Sequence, residues 1–201
     1  MRQASIERNT SETRVSGTLN LDGTGRTDVR LEPGFLAHML DAFARHGRFD
    51  LALTGEGDLT VDQHHMVEDC GLVLGRLFDK ALGDRRGIRR SGWFVHPMDD
   101  ALSAAGVDIG GRPWLIYEGQ LKRRFTGELD TDLLPEFFAA FSRGLGANVV
   151  IRLERGDNDH HRIEAAFKAL ARAMEDACTR TETDTLPSTK DRIDGVGGET
   201  S

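Results

Sequence analysis

Cysteine is nearly absent from this sequence: Cys70 and Cys178 stand far apart and in no metal-binding or redox spacing. That excludes a disulfide-stapled framework and a thiolate cluster, and it suits two free thiols in a reducing compartment. No apolar run approaches the roughly 20 residues that a membrane-spanning helix needs. The N-terminal stretch MRQASIERNTSETR is polar and charged, with no signal-peptide apolar core. A soluble, cytoplasmic chain without a membrane partner is the expectation. An excess of basic charge is missing too, since 26 Lys and Arg against 33 Asp and Glu leave a net charge of -7. Duplex binding needs a basic face, so nucleic acid is excluded as the main partner. A small anionic ligand needs only a few local cations and stays open.

What is present is a globular composition. Hydrophobic residues make up 38% of 201, enough for a core in one large domain or two fused halves. Residues 14–22 (RVSGTLNLD) alternate and end at Gly23, which predicts a strand with a hairpin partner at 27–32 (TDVRLE). Apolar residues at helical spacing predict a helix over 35–46 that stops at Gly47. Residues 49–61 alternate around Gly55 and Gly57 and suggest two more strands, and 64–82 form a long amphipathic helix. The second half repeats that order. Strands are expected at 106–118 and 121–125, a helix at 133–145 with Pro135 in its first turn, a strand at 148–154 and a second long helix at 160–178. The polar, Gly-rich tail from 191 to 201 is expected to be disordered.

The repetition has an arithmetic test. At an offset of 96, His64, His65, Glu68, Leu74, Arg76 and Ala81 fall on His160, His161, Glu164, Leu170, Arg172 and Ala177. At an offset of 98, residues 35–46 fall on 133–144 with Leu, Ala, Phe and Arg matching. Two amphipathic helices match by chance at apolar positions, but not at a paired HHxxE. The halves are therefore divided as 1–94 and 95–190.

Four of the seven histidines lie in HHMVE (64–68) and HHRIE (160–164). Residues four apart share a helix face, so His64 with Glu68, and His160 with Glu164, each suit one ion. The second histidine of each pair points about 100° away and suits a different ion. Two such helices brought together could share two ions, each lending its extra histidine across. His38 precedes the first motif, and Glu136 stands at the matching place in the second half. Imidazole and carboxylate without thiolate suit Mn, Fe or Zn. A single HH pair on a helix is ordinary surface sequence; two inside a duplication are not.

TSET (10–13), LDGTG (21–25), FLAHML (35–40), GDLTVDQHHMVED (57–69), ALGDRRGIRR (81–90), PMDDAL (97–102), VDIGGRP (107–113), GDNDHHRIEAAFKALARA (156–173) and PSTK (187–190) follow one another along the chain. In that order, over nearly its whole length, the chain resembles the imidazoleglycerol-phosphate dehydratase family of histidine biosynthesis. The resemblance implies an α+β fold of the ribosomal protein S5 domain 2-like kind. Each duplicated half is then a mostly antiparallel sheet backed by two helices, a two-layer α/β unit. It implies a hydro-lyase that turns imidazole glycerol phosphate into imidazole acetol phosphate, and a large homo-oligomer, a 24-mer in the family.

The resemblance also implies two Mn ions per subunit, shared between subunits. One would take His38, His65, His160 and Glu164; the other would take His64, Glu68 and His161, completed by position 136. Two ions on the two ring nitrogens would hold the imidazole as an imidazolate, whose electrons expel the neighbouring hydroxyl. Glu12 is the implied substrate contact and candidate acid or base. His46, Arg90, Arg112, Lys168, Ser188, Thr189 and Lys190 fall on substrate-binding positions, where guanidinium forks suit phosphate.

Three departures from the family's pattern stand out, the first two inside the site. Ala37 stands where the family has aspartate, Glu136 where it has histidine, and Asp191 where glycine follows PSTK. A glutamate ligand makes its site harder and less Lewis acidic, and loss of the aspartate removes a group that could orient a ligand. Other readings of the scaffold are a diverged paralogue, down to a metal-binding assembly protein without activity, or a metal-dependent phosphatase.

Overall fold

Period-two burial builds the first sheet. In β2 (Thr13–Asn20), Thr13, Val15 and Leu19 are buried while Arg14 and Thr18 face solvent. β2 pairs antiparallel with β1 (Gln3–Asn9) on one side and with β4 (Asp50–Gly57) on the other. The short β3 (Thr27–Arg30) runs parallel to β4, giving the order β1-β2-β4-β3. Two helices, α1 (Gly34–Gly47) and α2 (His64–Leu82), back this sheet. The structure, a computed structural model, describes residues 1–190 and Ile193. The expectations of a disordered tail and of a role for Asp191 therefore lie outside the described residues.

The second half repeats the plan. β5 (Ser91–Met98), β6 (Ala101–Asp108), β7 (Trp114–Glu118) and β10 (Asn148–Arg155) form a sheet of order β5-β6-β10-β7. Again three strands are antiparallel and the last pairing, β7 with β10, is parallel. α3 (Leu134–Leu145) and α4 (Asp159–Cys178) back it. A small hairpin, β8 (Phe125–Thr126) and β9 (Leu129–Asp130), is inserted before α3. Among the described residues, no helix is long and apolar enough to cross a membrane.

The two helical layers face each other, with α2 on α3 and α1 on α4. Phe43, Phe49, Phe78 and Phe141 interlock there, mostly edge to face, with ring centroids 4.9 to 6.4 Å apart. α2 and α3 approach so closely that a Cβ on Gly71 would stand 2.3 Å from the Phe137 carbonyl oxygen. Cys70 and Cys178 are buried free thiols, and burial pushes both up to about 12, so they are inert at neutral pH.

Several expected elements differ. β2 does not form a hairpin with 27–32, because β4 takes β2's free edge and β3 joins only through β4. Residues 49–61 hold one strand, ending at Gly57, and 106–118 breaks at Gly110-Gly111 into the ends of β6 and β7. In 121–125 only Phe125 is extended. β1 and β5 have no strong period in sequence. β1 is an edge strand with only Ala4 and Ile6 as apolar inward residues. β5 begins at Ser91, ahead of the expected division at 94, and its inward Gly92 leaves room for α4, whose Ala173 carbonyl oxygen lies 2.1 Å from where a Cβ would be.

Candidate metal centre

The first turns of α2 and α4 carry the two HHxxE motifs. Asn158 caps α4 by accepting from the His160 backbone N–H at 3.0 Å, which sets where the helix, and hence its ligand face, begins. On α4 the predicted i,i+4 pair closes, with His160 Nε2 3.1 Å from Glu164 Oε2. α1 packs on α4 and brings His38 Nε2 to 3.5 Å from the same oxygen. One ligand atom from each of the three lies within 4.8 Å of the others, the only such group among the described residues. Phe35 meets the His160 ring edge to face at 5.0 Å and holds it.

Glu164 is buried, which opposes its ionisation. The Lys168 ammonium, 2.7 Å from its other oxygen, and the imidazoles of His160 and His38 outweigh that and lower its pKa. The carboxylate is thus kept in its metal-binding form.

The matching set on α2 is more open. His64 Nε2 is 3.7 Å from Glu68 Oε2, and Arg143 on α3 holds the other Glu68 oxygen. Glu136 lies in the first turn of α3, half-buried, but forms no three-ligand group with them. His65 turns away to Asp58, whose carboxylate takes its Nδ1 at 3.1 Å and raises the imidazole pKa. Its Nε2 faces Glu12 Oε1 at 3.8 Å. His161 likewise donates from Nδ1 to Asp100 at 2.7 Å, while its Nε2 lies 3.6 Å from Asp99. Of the ligands expected to share one ion, a single chain brings together His38, His160 and Glu164 but not His65. Of the other four it joins only His64 and Glu68.

Asp58, Asp99 and Asp100 are missing from the sequence-based site. They stand in two of its motifs, GDLTVDQHHMVED and PMDDAL, but which histidine each carboxylate reaches depends on strand pairing. The tight β5-β6 turn, with Asp99 at φ 48°, puts Asp100 against α4. Asp100 is held well below the ordinary carboxylate range by His161 and the backbone N–H groups of Asn158 and Asp157. A carboxylate on Nδ1 leaves Nε2 as the lone-pair nitrogen, the arrangement of an oriented metal ligand.

The remaining candidates are spread over several elements. Lys168 is on Glu164. His46, at the end of α1, meets His96 edge to face at 5.6 Å; burial, then Lys168, lowers its pKa. Ala37 is half-buried against the core. Arg90 forks onto Asp108 and donates to the Pro187 carbonyl, next to Ser188. Arg112, Thr189 and Lys190 are exposed. A hollow of about 780 Å³ on the first sheet's outer face is lined by none of these residues.

The family model described as imidazoleglycerol-phosphate dehydratase matches residues 32–174. The imidazoleglycerol-phosphate dehydratase of Koribacter versatilis is 48% identical over 192 residues, 94% of this chain and 98% of that protein. The chain belongs to the imidazoleglycerol-phosphate dehydratase family. The relative from Pelobacter propionicus is 52% identical over 181 residues, 90% of this chain and 92% of its own. A histidine biosynthesis bifunctional protein of Spirosoma linguale is 49% identical, and this chain spans 50% of it. The crystal structure of the Staphylococcus aureus dehydratase superposes with a TM-score of 0.80 at 35% identity, covering 89% of this chain and 99% of that one. As an imidazoleglycerol-phosphate dehydratase family member, the chain is a lyase of histidine biosynthesis.

Proposed function

We propose that the chain converts imidazole glycerol phosphate to imidazole acetol phosphate in the cytoplasm, using a dinuclear Mn centre shared between copies. The observation that carries this is the convergence of His38, His160 and an ionised Glu164. Two imidazoles and a carboxylate, without thiolate, suit Mn, Fe or Zn, and the family resemblance selects Mn among them. His64, Glu68, His65, His161 and Glu136 would complete the two positions with groups drawn from neighbouring copies, because one chain brings His64 to Glu68 but leaves His65, His161 and Glu136 out of both sets. Bound there, the ions supply Lewis acidity toward the imidazole ring.

The chain's own residues do the rest. Loss of water from two adjacent carbons of the glycerol chain removes a hydroxyl from one and a proton from the other, and the enol becomes the ketone by shifting a proton. Glu12, in the turn between β1 and β2 and half-exposed beside His65 Nε2, takes and returns that proton. Arg90, Arg112, Lys168, Ser188, Thr189 and Lys190 would hold the phosphate end, and His46 would contact the substrate.

A homo-oligomer, a 24-mer by resemblance, is supported by the second sheet's outer face. Trp93, Gly106, Val150 and Ile116 line up across its four strands. At the same places on the first sheet stand Ser5, Thr18, Ala52 and Asp28. Trp93 and Trp114 are 74% and 68% exposed in the single chain, an apolar surface that association would cover. Trp93→Glu should split the assembly into smaller particles by analytical ultracentrifugation and lower metal content with it. Unchanged particle size would remove this face from the assembly.

The deciding experiment is product formation by purified, Mn-loaded protein with metal measured on the same sample. About two Mn per chain and imidazole acetol phosphate are expected. Glu12→Gln should keep the metal and lower kcat by about 10²-fold or more. Bound metal without this product would point to the diverged paralogue that Ala37 and Glu136 leave open, and phosphate release to a phosphatase. Absence of bound metal would sink the centre itself.

A further inference from the structure

Three motifs that are far apart in sequence meet at one guanidinium. Arg90 closes ALGDRRGIRR, Asp108 and Gly110 lie in VDIGGRP, and Pro187 opens PSTK. Arg90 Nε and Nη2 donate to the two oxygens of Asp108 at 2.6 and 3.0 Å, and Nη1 donates to the Pro187 carbonyl at 2.6 Å. Gly110 forms the floor of this nook, since a Cβ there would stand 2.7 Å from Arg90 Nη2.

The backbone of Arg90 is fixed as firmly as its side chain. It adopts φ 71°, a conformation that costs a non-glycine residue about 1 kcal/mol or more. Its N–H donates to the Ala177 carbonyl at the end of α4, and its own carbonyl accepts from Ile109 N–H at 3.0 Å. Strain held from both sides is a mark of a residue whose side-chain direction matters. A guanidinium has five N–H groups, and among the described residues three are used here, leaving one on each Nη.

We propose that Asp108 is a positioning residue: it aims the free Nη edge of Arg90 at the substrate's phosphate and, through Nη1, ties the Pro187–Lys190 strap beside it. Three observations carry the assignment: the two-point Asp108 fork, the Gly110 floor and the Pro187 contact. The phosphate half rests on the function proposed above; the strap half does not. A carboxylate is needed at 108 because only an acceptor with two oxygens takes Nε and Nη2 together. Asparagine offers one oxygen and would turn an N–H toward the guanidinium.

The test is Asp108→Asn, with Gly110→Ala as a second variant whose methyl would press on the Arg90 tip and, less closely, on the Asp108 carboxylate while leaving that carboxylate's charge in place. Both should raise KM, and the inhibition constant of inorganic phosphate, by about tenfold while kcat changes little, because one charge-assisted contact is lost. Asp108→Glu should recover part of the loss. Amide hydrogen exchange at Ser188 and Lys190 should speed by about tenfold in both variants. This readout needs no turnover, so it judges the strap even if the proposed reaction is wrong. KM and phosphate inhibition within about twofold of wild type in both variants would overturn the aiming role. Unchanged exchange at Ser188 and Lys190 would overturn the strap.

Discussion

Glu164→Gln should abolish metal uptake at the His38–His160 set and lower kcat/KM by about 10³-fold or more. The size follows from what the carboxylate supplies. Lewis-acid assistance is worth several kcal/mol, and each 1.4 kcal/mol or so is tenfold in rate. Glu164 is the only carboxylate in the three-ligand group. Glutamine keeps the shape but loses the charge. It also leaves Lys168, now 2.7 Å from an anion, beside a neutral amide next to where a cation must sit. The loss at Glu68 should be smaller, because Arg143 already draws on that carboxylate and its set is more open in one chain. Metal per chain by elemental analysis, with turnover on the same sample, checks the prediction. Full metal occupancy and turnover within about tenfold of wild type would remove Glu164 from the ligands.

Gly71→Ala should destabilise the fold by about 3 kcal/mol or more, although it adds a single methyl group. That methyl would lie 2.3 Å from the Phe137 carbonyl oxygen and 3.1 Å from its carbon. Both are backbone, so no side chain can swing aside, and α2 and α3 must separate. Gly75 and Gly144 sit under the same constraint, with Cβ positions 2.4 Å from the Phe141 and Leu72 carbonyl oxygens. Separation would open the interlocked phenylalanines, which is where the energy is lost. It would also move His64 and Glu68 on α2 relative to Glu136 on α3, so metal binding should weaken in parallel. Urea unfolding followed by far-UV circular dichroism reads the change. A variant within about 1 kcal/mol of wild type would mean that the helices are not in this close contact.

Parts of this molecule are legible from one dimension. Amphipathic periodicity predicts helices at 64–82 and 160–178, and the HHxxE spacing then puts each histidine and its glutamate on one face, because the i,i+4 geometry is local to a helix. α4 closes that pair at 3.1 Å and α2 holds it at 3.7 Å. His38 was reachable only through the duplication and the family pattern, since no local rule links it to Glu164, 126 positions away by subtraction of their numbers. The carboxylates on His65 and His161 were not legible. Asp58 reaches back from the loop after β4, and Asp100 crosses from a hairpin to a helix nearly 60 residues later.

The sequence by itself determined the composition class, the paired motifs and the four helices that carry or support them. Those depend on residue type and on periodicities that repeat within a few positions. Only the tertiary structure decided that β3 and β7 join their sheets in parallel, that β1 and β5 are strands, and that Arg90 is clamped between Asp108 and Pro187. Each of these turns on a partner distant in the chain. Inward glycines such as Gly92 show the reason: close packing chooses them for the absence of a side chain, so they leave no hydrophobic period to read.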